Sequence, residues 1–136
     1  MRIFICCSKH IYDRIPPIFD KLTSAGHLVT LPNSYDDPGM EEKMRALSEE
    51  EHRKWKAEMI RLQEEKVRGV DAILVLNMEK HGIDNYIGGA TFLEMFKAFE
   101  LGRPIYLWNP IPENILRDEI QGFGVKVING DLSLIS

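Results

Sequence analysis

Gly88-Gly89-Ala90-Thr91-Phe92-Leu93-Glu94-Met95-Phe96-Lys97-Ala98-Phe99-Glu100-Leu101-Gly102-Arg103-Pro104-Ile105 reads as a glycine turn, one apolar helix, a glycine stop and the start of a strand. Phe92, Met95, Phe96 and Phe99 recur at helical spacing and are expected to form the buried face. Glu94 is the exception among them. It falls in the opening turns, where unpaired amides and the positive end of the helix dipole favour a carboxylate. Gly88 and Gly89 remove side chains just before it, so another molecule can approach the backbone closely. An ionised carboxylate beside a cleft is what covalent sugar chemistry requires. The plainer alternative is a solvated helix glutamate paired with Lys97.

Working outward, Asp71-Ala72-Ile73-Leu74-Val75-Leu76-Asn77 is the clearest buried strand, and Met78 to Ile87 is a loop rich in polar and aromatic groups. After the helix, Pro104 to Trp108 is a strand, Asn109 to Asn114 a rigid turn, Ile115 to Gln121 a short helix and Val125 to Ile128 a last strand. Towards the N-terminus, Arg2 to Cys7 is an apolar run suited to a central parallel strand covered on both faces. Tyr12 to Ala25 is expected to be helical, its start complicated by Pro16 and Pro17. His27 to Leu31 follows as a strand and Pro32 to Met40 as a turn-rich connection. Ser48 and Glu51 have the form of a capping box opening a helix to about Arg68, with Trp55, Met59 and Leu62 on one side. Strands alternating with helices predict a doubly wound, flavodoxin-like α/β domain over residues 1–136, with about five parallel strands and helices on both faces.

At 136 residues the chain fits one domain and can bury a core without metals or disulfides. A net charge of −4 gives no general attraction to nucleic acid or an anionic membrane, and no apolar run is long enough to span a bilayer. No signal peptide is apparent at the N-terminus. Cys6 and Cys7 are adjacent on a strand, point to opposite faces and offer no metal-ligand spacing, so the cytoplasm is the expected location. No glycine-rich dinucleotide or Walker loop is present. A flavin or phospho-acceptor domain fits poorly, because no hydroxyl-rich loop follows the first strand and no aspartate ends it or the next.

The strand Asp71–Asn77, the polar loop, Gly88 to Glu94 and the exit Ala98 to Ile105 together resemble the nucleoside 2-deoxyribosyltransferase family, including deoxynucleoside-monophosphate N-glycosidases. Cys6-Cys7-Ser8 fits the family's opening strand. The resemblance covers most of the chain in order, with Asp71 to Trp108 its specific part. It implies that Glu94 attacks the anomeric carbon of a 2-deoxyribosyl group and releases the base, the sugar passing to a second base or to water. No metal and no organic cofactor is implied, and the partners are a small nucleoside or nucleotide and further copies of the chain in a homodimer or larger homo-oligomer.

A leaving base needs a proton, so a second acid is expected to face Glu94. Asp84 is the first candidate, ahead of Asp71 and Glu79. Tyr86 or Trp108 would stack on the base, and Asn77, Asn85 or Asn109 would hydrogen-bond to it. Ser8 and Lys9 would meet a 5′-hydroxyl or 5′-phosphate, with Cys7 also binding substrate and Gly88 and Gly89 giving close access. Asn109 or the tail near Asn129 would serve a neighbouring subunit's site. Two positions depart from the family pattern: Gly88 stands where an aspartate is common and Phe96 where a glycine is typical. The alternative they support is a non-catalytic nucleoside- or nucleotide-sensing module on the same fold.

Overall fold

Alternation along the first strand sets the layers of the molecule. In the computed structural model, which describes residues 1–136, β1 is Arg2–Cys6. Its Ile3 and Ile5 enter one apolar cluster and its Phe4 and Cys6 the other. Successive side chains of a strand point to opposite faces, so a run apolar at every position belongs in a sheet covered on both sides. The first cluster is closed by α1 (Ile15–Ser24) and the second by α3 (Glu49–Arg68), α4 (Gly89–Glu100) and α5 (Arg117–Gly122).

The remaining strands are β2 (Leu28–Thr30), β3 (Ala72–Val75), β4 (Ile105–Leu107) and β5 (Lys126–Val127). They form one sheet with order β2-β1-β3-β4-β5, every pair parallel. The chain runs outward from β1 to β2 and then returns across β1 to β3. That reversal leaves a crevice at the carboxyl ends of β1 and β3, where open α/β sheets hold their ligands.

Local chemistry explains the element boundaries. Pro16 and Pro17 occupy the first positions of α1, where a missing N–H costs nothing, so the helix starts at Ile15 and a 3-10 helix fills Lys9–Arg14. A second helix, α2 (Met40–Leu47), ends at Ser48, whose backbone is extended and whose hydroxyl accepts from the Glu51 amide at 3.0 Å to start α3. Only half of the capping box forms, because the Ser48 amide already donates to Met44. Gly102 ends α4 with φ +70, and the Arg103 amide closes the turn on the Ala98 carbonyl at 2.8 Å. The C-terminal tail packs on the body: Ile135 is buried, and the Tyr106 hydroxyl donates to the Ser136 carbonyl at 3.3 Å. No helix is long and apolar enough to cross a membrane.

The face of α4 differs from the sequence expectation. Thr91, Glu94, Met95 and Ala98 are its buried residues, whereas Phe96 and Phe99 are exposed and Phe92 is half-buried. The three phenyl rings gather instead on Phe123, with centroids 5.4 to 6.5 Å away. A helix carrying apolar residues around most of its circumference does not reveal its inward stripe by hydrophobicity alone.

Asn77 and Asn109 clasp the ends of β3 and β4. Asn77 is fully buried; its amide donates to the Asn109 and Pro110 carbonyls, both at 3.0 Å, and its side-chain oxygen accepts from the Asn109 amide at 2.8 Å. Asn109 returns a bond to the Asn77 carbonyl at 3.1 Å. Both were expected to contact a base, but the Asn77 side chain is fully engaged by Asn109 and the turn, and the Asn109 amide nitrogen is spent on Asn77. Asn77→Ala should therefore lower stability by about 2–4 kcal/mol in chemical denaturation, as buried partners lose their bonds. A loss below about 0.5 kcal/mol would show that the clasp is dispensable.

Candidate active site

A cleft of about 250 Å³ opens at the carboxyl edge of the sheet. The loop after β1 supplies Cys7, Ser8, Lys9, His10 and Tyr12, and the loop after β2 supplies Pro32, Asn33 and Ser34. Helices α2 and α3 contribute Glu41, Trp55, Lys56, Met59 and Gln63. The segment after β3 adds Lys80, Tyr86, Gly88, Gly89, Ala90, Thr91 and Glu94. Three successive strand ends and the helix returning over β1 thus converge on one hollow.

Glu94 is the cleft's buried acid, 7 % exposed. It is the sixth residue of α4, beyond the first turn whose amides lack partners, so no helix N–H is free to meet it. Burial dominates in consequence and pushes its carboxyl up to about 8, against the neighbouring Cys6 thiol and the positive charge of Lys66. At neutral pH the free protein holds this group largely protonated, where the sequence suggested an ionised one. Buried carboxyls take up a proton because a desolvated charge costs more. The pairing with Lys97 does not form, since that amine binds Glu64 at 3.3 Å and Glu100 at 2.5 Å.

The thiols and the phenol around Glu94 are held in neutral forms too. Burial, then the proximity of Glu94, raises the Cys7 thiol to about 12, and burial likewise raises Cys6 and Tyr12. Lys66, half-buried, donates to the Leu31 carbonyl at 2.9 Å, and its burial lowers its affinity for a proton. Gln63 fixes the start of α4 by donating to the Ala90 carbonyl at 3.2 Å. A second hollow of about 100 Å³, lined by Ile60, Gln63, Glu64, Leu93, Glu94 and Lys97, reaches Glu94 from between α3 and α4.

Of the residues singled out in the sequence, Glu94, Cys7, Ser8, Lys9, Tyr86, Gly88 and Gly89 line the cleft together. Lys9 is ion-paired with Glu42, which ties the β1 loop to α2. Lys80 stands 4.5 Å from the centre of the Tyr86 ring, and the Tyr86 hydroxyl lies where a side chain at Gly88 would begin, 3.2 Å from an added Cβ. Asp84 is not part of the cleft: it is exposed, one residue after the Lys80–Ile83 bridge that turns the loop back on itself. Glu79 is exposed outside it as well, and Asp71 pairs with Arg2 at the amino end of the sheet. Asn85, with φ +54, serves the same turn as Asp84. Trp108 packs on the core and against Gly130.

Glu41, Trp55, Lys56 and Lys80 are lining residues that sequence reasoning missed. One signal pointed to that wall: the turn-rich segment after β2 leaves a strand's carboxyl end, where ligand loops lie. No cluster of three or more histidine, cysteine or acidic residues with the geometry to hold a metal is present. No protein-family model and no curated protein matches the chain.

The raised carboxyl gives a signed prediction. Between its ordinary value near 4.5 and about 8, the folded state binds a proton that the unfolded state has released. Stability should therefore fall as pH rises through this window, by roughly 1.4 kcal/mol per unit at most. Glu94→Gln, which cannot ionise, should be more stable than the wild-type protein at pH 8.5 by a few kcal/mol, the gain shrinking to nothing near pH 4.5. Denaturant titrations at the two pH values measure it, and a pH-independent difference would place the carboxyl in water.

Proposed function

We propose that this protein cleaves or exchanges the N-glycosidic bond of a 2′-deoxynucleoside or its 5′-monophosphate, with Glu94 as the nucleophile. The observation carrying the reading is a solitary buried carboxyl at a cleft formed on the switch-point edge of the sheet. Loss of a base leaves positive charge on the sugar, and a carboxylate beside it both stabilises that charge and can bond to it. A cationic sugar centre offsets the cost of ionising Glu94, because the opposite charge develops beside it as the base leaves.

In the first step Glu94 gives its proton to solvent in the cleft and one of its oxygens bonds to the anomeric carbon. The bond to the base nitrogen breaks, its electron pair leaves with the base, and the base takes a proton from solvent in the cleft. In the second step water, or a second base, attacks the same carbon and displaces Glu94 as a carboxylate, with one proton released from the attacking group. Lys80 stands on the cleft wall beyond the end of β3, where its ammonium suits a 5′-oxygen or phosphate. Exposed Leu93, Phe96 and Phe99 on α4 supply an apolar surface for a second copy of the chain.

A non-catalytic nucleoside sensor is the second reading. It is favoured by one observation: Glu41, the cleft's other acid, is engaged by cations and is no proton donor.

Incubation with a panel of deoxynucleosides and their monophosphates, with and without an acceptor base, tests the proposal. Base release or exchange should appear in the wild-type protein and fall at least about a thousandfold in Glu94→Ala. The rate at low substrate should rise with pH towards a plateau above about 8, as free Glu94 ionises. Binding without turnover in both proteins would establish the sensor, and full activity in Glu94→Gln would refute the nucleophile.

A further inference from the structure

Two cations and an imidazole converge on a single oxygen of Glu41. Lys56 Nζ lies 2.8 Å, His52 Nε2 2.9 Å and Arg45 Nη2 3.5 Å from Oε2, and no protein group bonds to Oε1. Glu41 lines the same cleft as Glu94, beside Trp55 and Lys56. Resting on the nucleoside reading above, we infer that Glu41 and Lys56 select the base: Oε1 of Glu41 accepts the ring N–H of a lactam base while Lys56 donates to the adjacent carbonyl, with Trp55 flanking the ring.

The chemistry of the pair sets this choice. Partial burial pushes the Glu41 carboxyl up, but hydrogen bonds from Lys56 and His52 and the charge of Arg45 overcome it and hold the group near 2. It is therefore an ionised, acceptor-only group with one oxygen in use. An ammonium carries three hydrogens and accepts nothing, so Lys56 retains donors beyond its bond to Oε2. The wall offers an acceptor next to a donor, and a ligand must answer with an N–H next to an acceptor.

Guanine, hypoxanthine, thymine and uracil present a ring N–H beside a carbonyl oxygen. Adenine and cytosine present an aryl amine beside a ring nitrogen. The lactam N–H is the more polarised donor to a carboxylate, and the carbonyl the better acceptor for an ammonium, so both contacts favour lactam bases. Trp55 is held for the flanking role by the His52 ring stacked at 6.2 Å and by Lys56 5.3 Å from its centre.

Calorimetric titration of the Glu94→Gln protein separates base selection from turnover. The probes are deoxyguanosine, deoxyinosine, thymidine, deoxyadenosine and deoxycytidine, each also as its 5′-monophosphate. Lactam ligands should bind about tenfold or more tightly than amino ligands, the scale of a charge-assisted hydrogen bond. Adding Glu41→Gln should shrink the preference to within about twofold, and Lys56→Met should weaken lactam ligands selectively. Unchanged circular dichroism certifies the fold of each variant. Equal binding of both ligand classes, or a preference surviving Glu41→Gln, would overturn base selection by Glu41 while leaving the nucleoside reading intact. Absence of binding by every ligand would overturn both.

Discussion

Removing one carboxyl group from water governs what the rest of this molecule does. Glu94 projects from the inward face of α4 towards Cys6 on β1, with Lys66 of α3 near enough to favour its charge although its ammonium is bonded to the Leu31 carbonyl. The group keeps its proton until something positive arrives. An acid in this state destabilises the folded protein once ionised, and such a cost persists where the site has a task. The surrounding thiols and the Tyr12 hydroxyl, all held neutral, extend the same low-charge environment.

The sheet order makes that placement possible. With β1 and β3 adjacent and the chain doubling back through β2, three loops leave the carboxyl edge beside one another, and α3 crosses above them. Interior side chains hold the arrangement: Gln63 pins the first turn of α4, Asn33 of the β2 loop donates to the Met59 carbonyl at 2.9 Å, and the Asn77–Asn109 clasp ties β3 to β4. The outer wall is built differently. Glu41 joins α2 to α3 through surface cations, and the Lys9–Glu42 pair ties that wall to the β1 loop.

Much of the architecture was legible in the residues because unbroken apolar runs such as Arg2–Cys7 and Asp71–Asn77 permit little except strands covered on both faces. Glycines and prolines marked the joints. Glu94 was visible as a charge inside an apolar helix, yet its protonation was not, because burial depends on what α3 and β1 place around it. Phe96 and Phe99 misled for a related reason: the helix is apolar on two sides, and only packing chooses between them. Asp84 and Asn77 were chosen for their chemistry and their loops. The Lys80–Ile83 bridge carries the first into solvent, and the turn after β4 consumes the second. Trp55, Glu41 and Lys56 sit far from Glu94 in sequence, and only the return of α3 over the sheet brings them to the cleft.

Direct titration of the Glu94 carboxyl is the most decisive measurement. Carbon-13 NMR of protein labelled at the glutamate carboxyl carbons, with the resonance assigned by its loss in Glu94→Gln, should give a midpoint near 8. It should move down when a positively charged sugar mimic fills the cleft. A midpoint between about 4 and 5, the range of solvated glutamates, would contradict the account by placing the carboxyl in water instead of in a desolvated site.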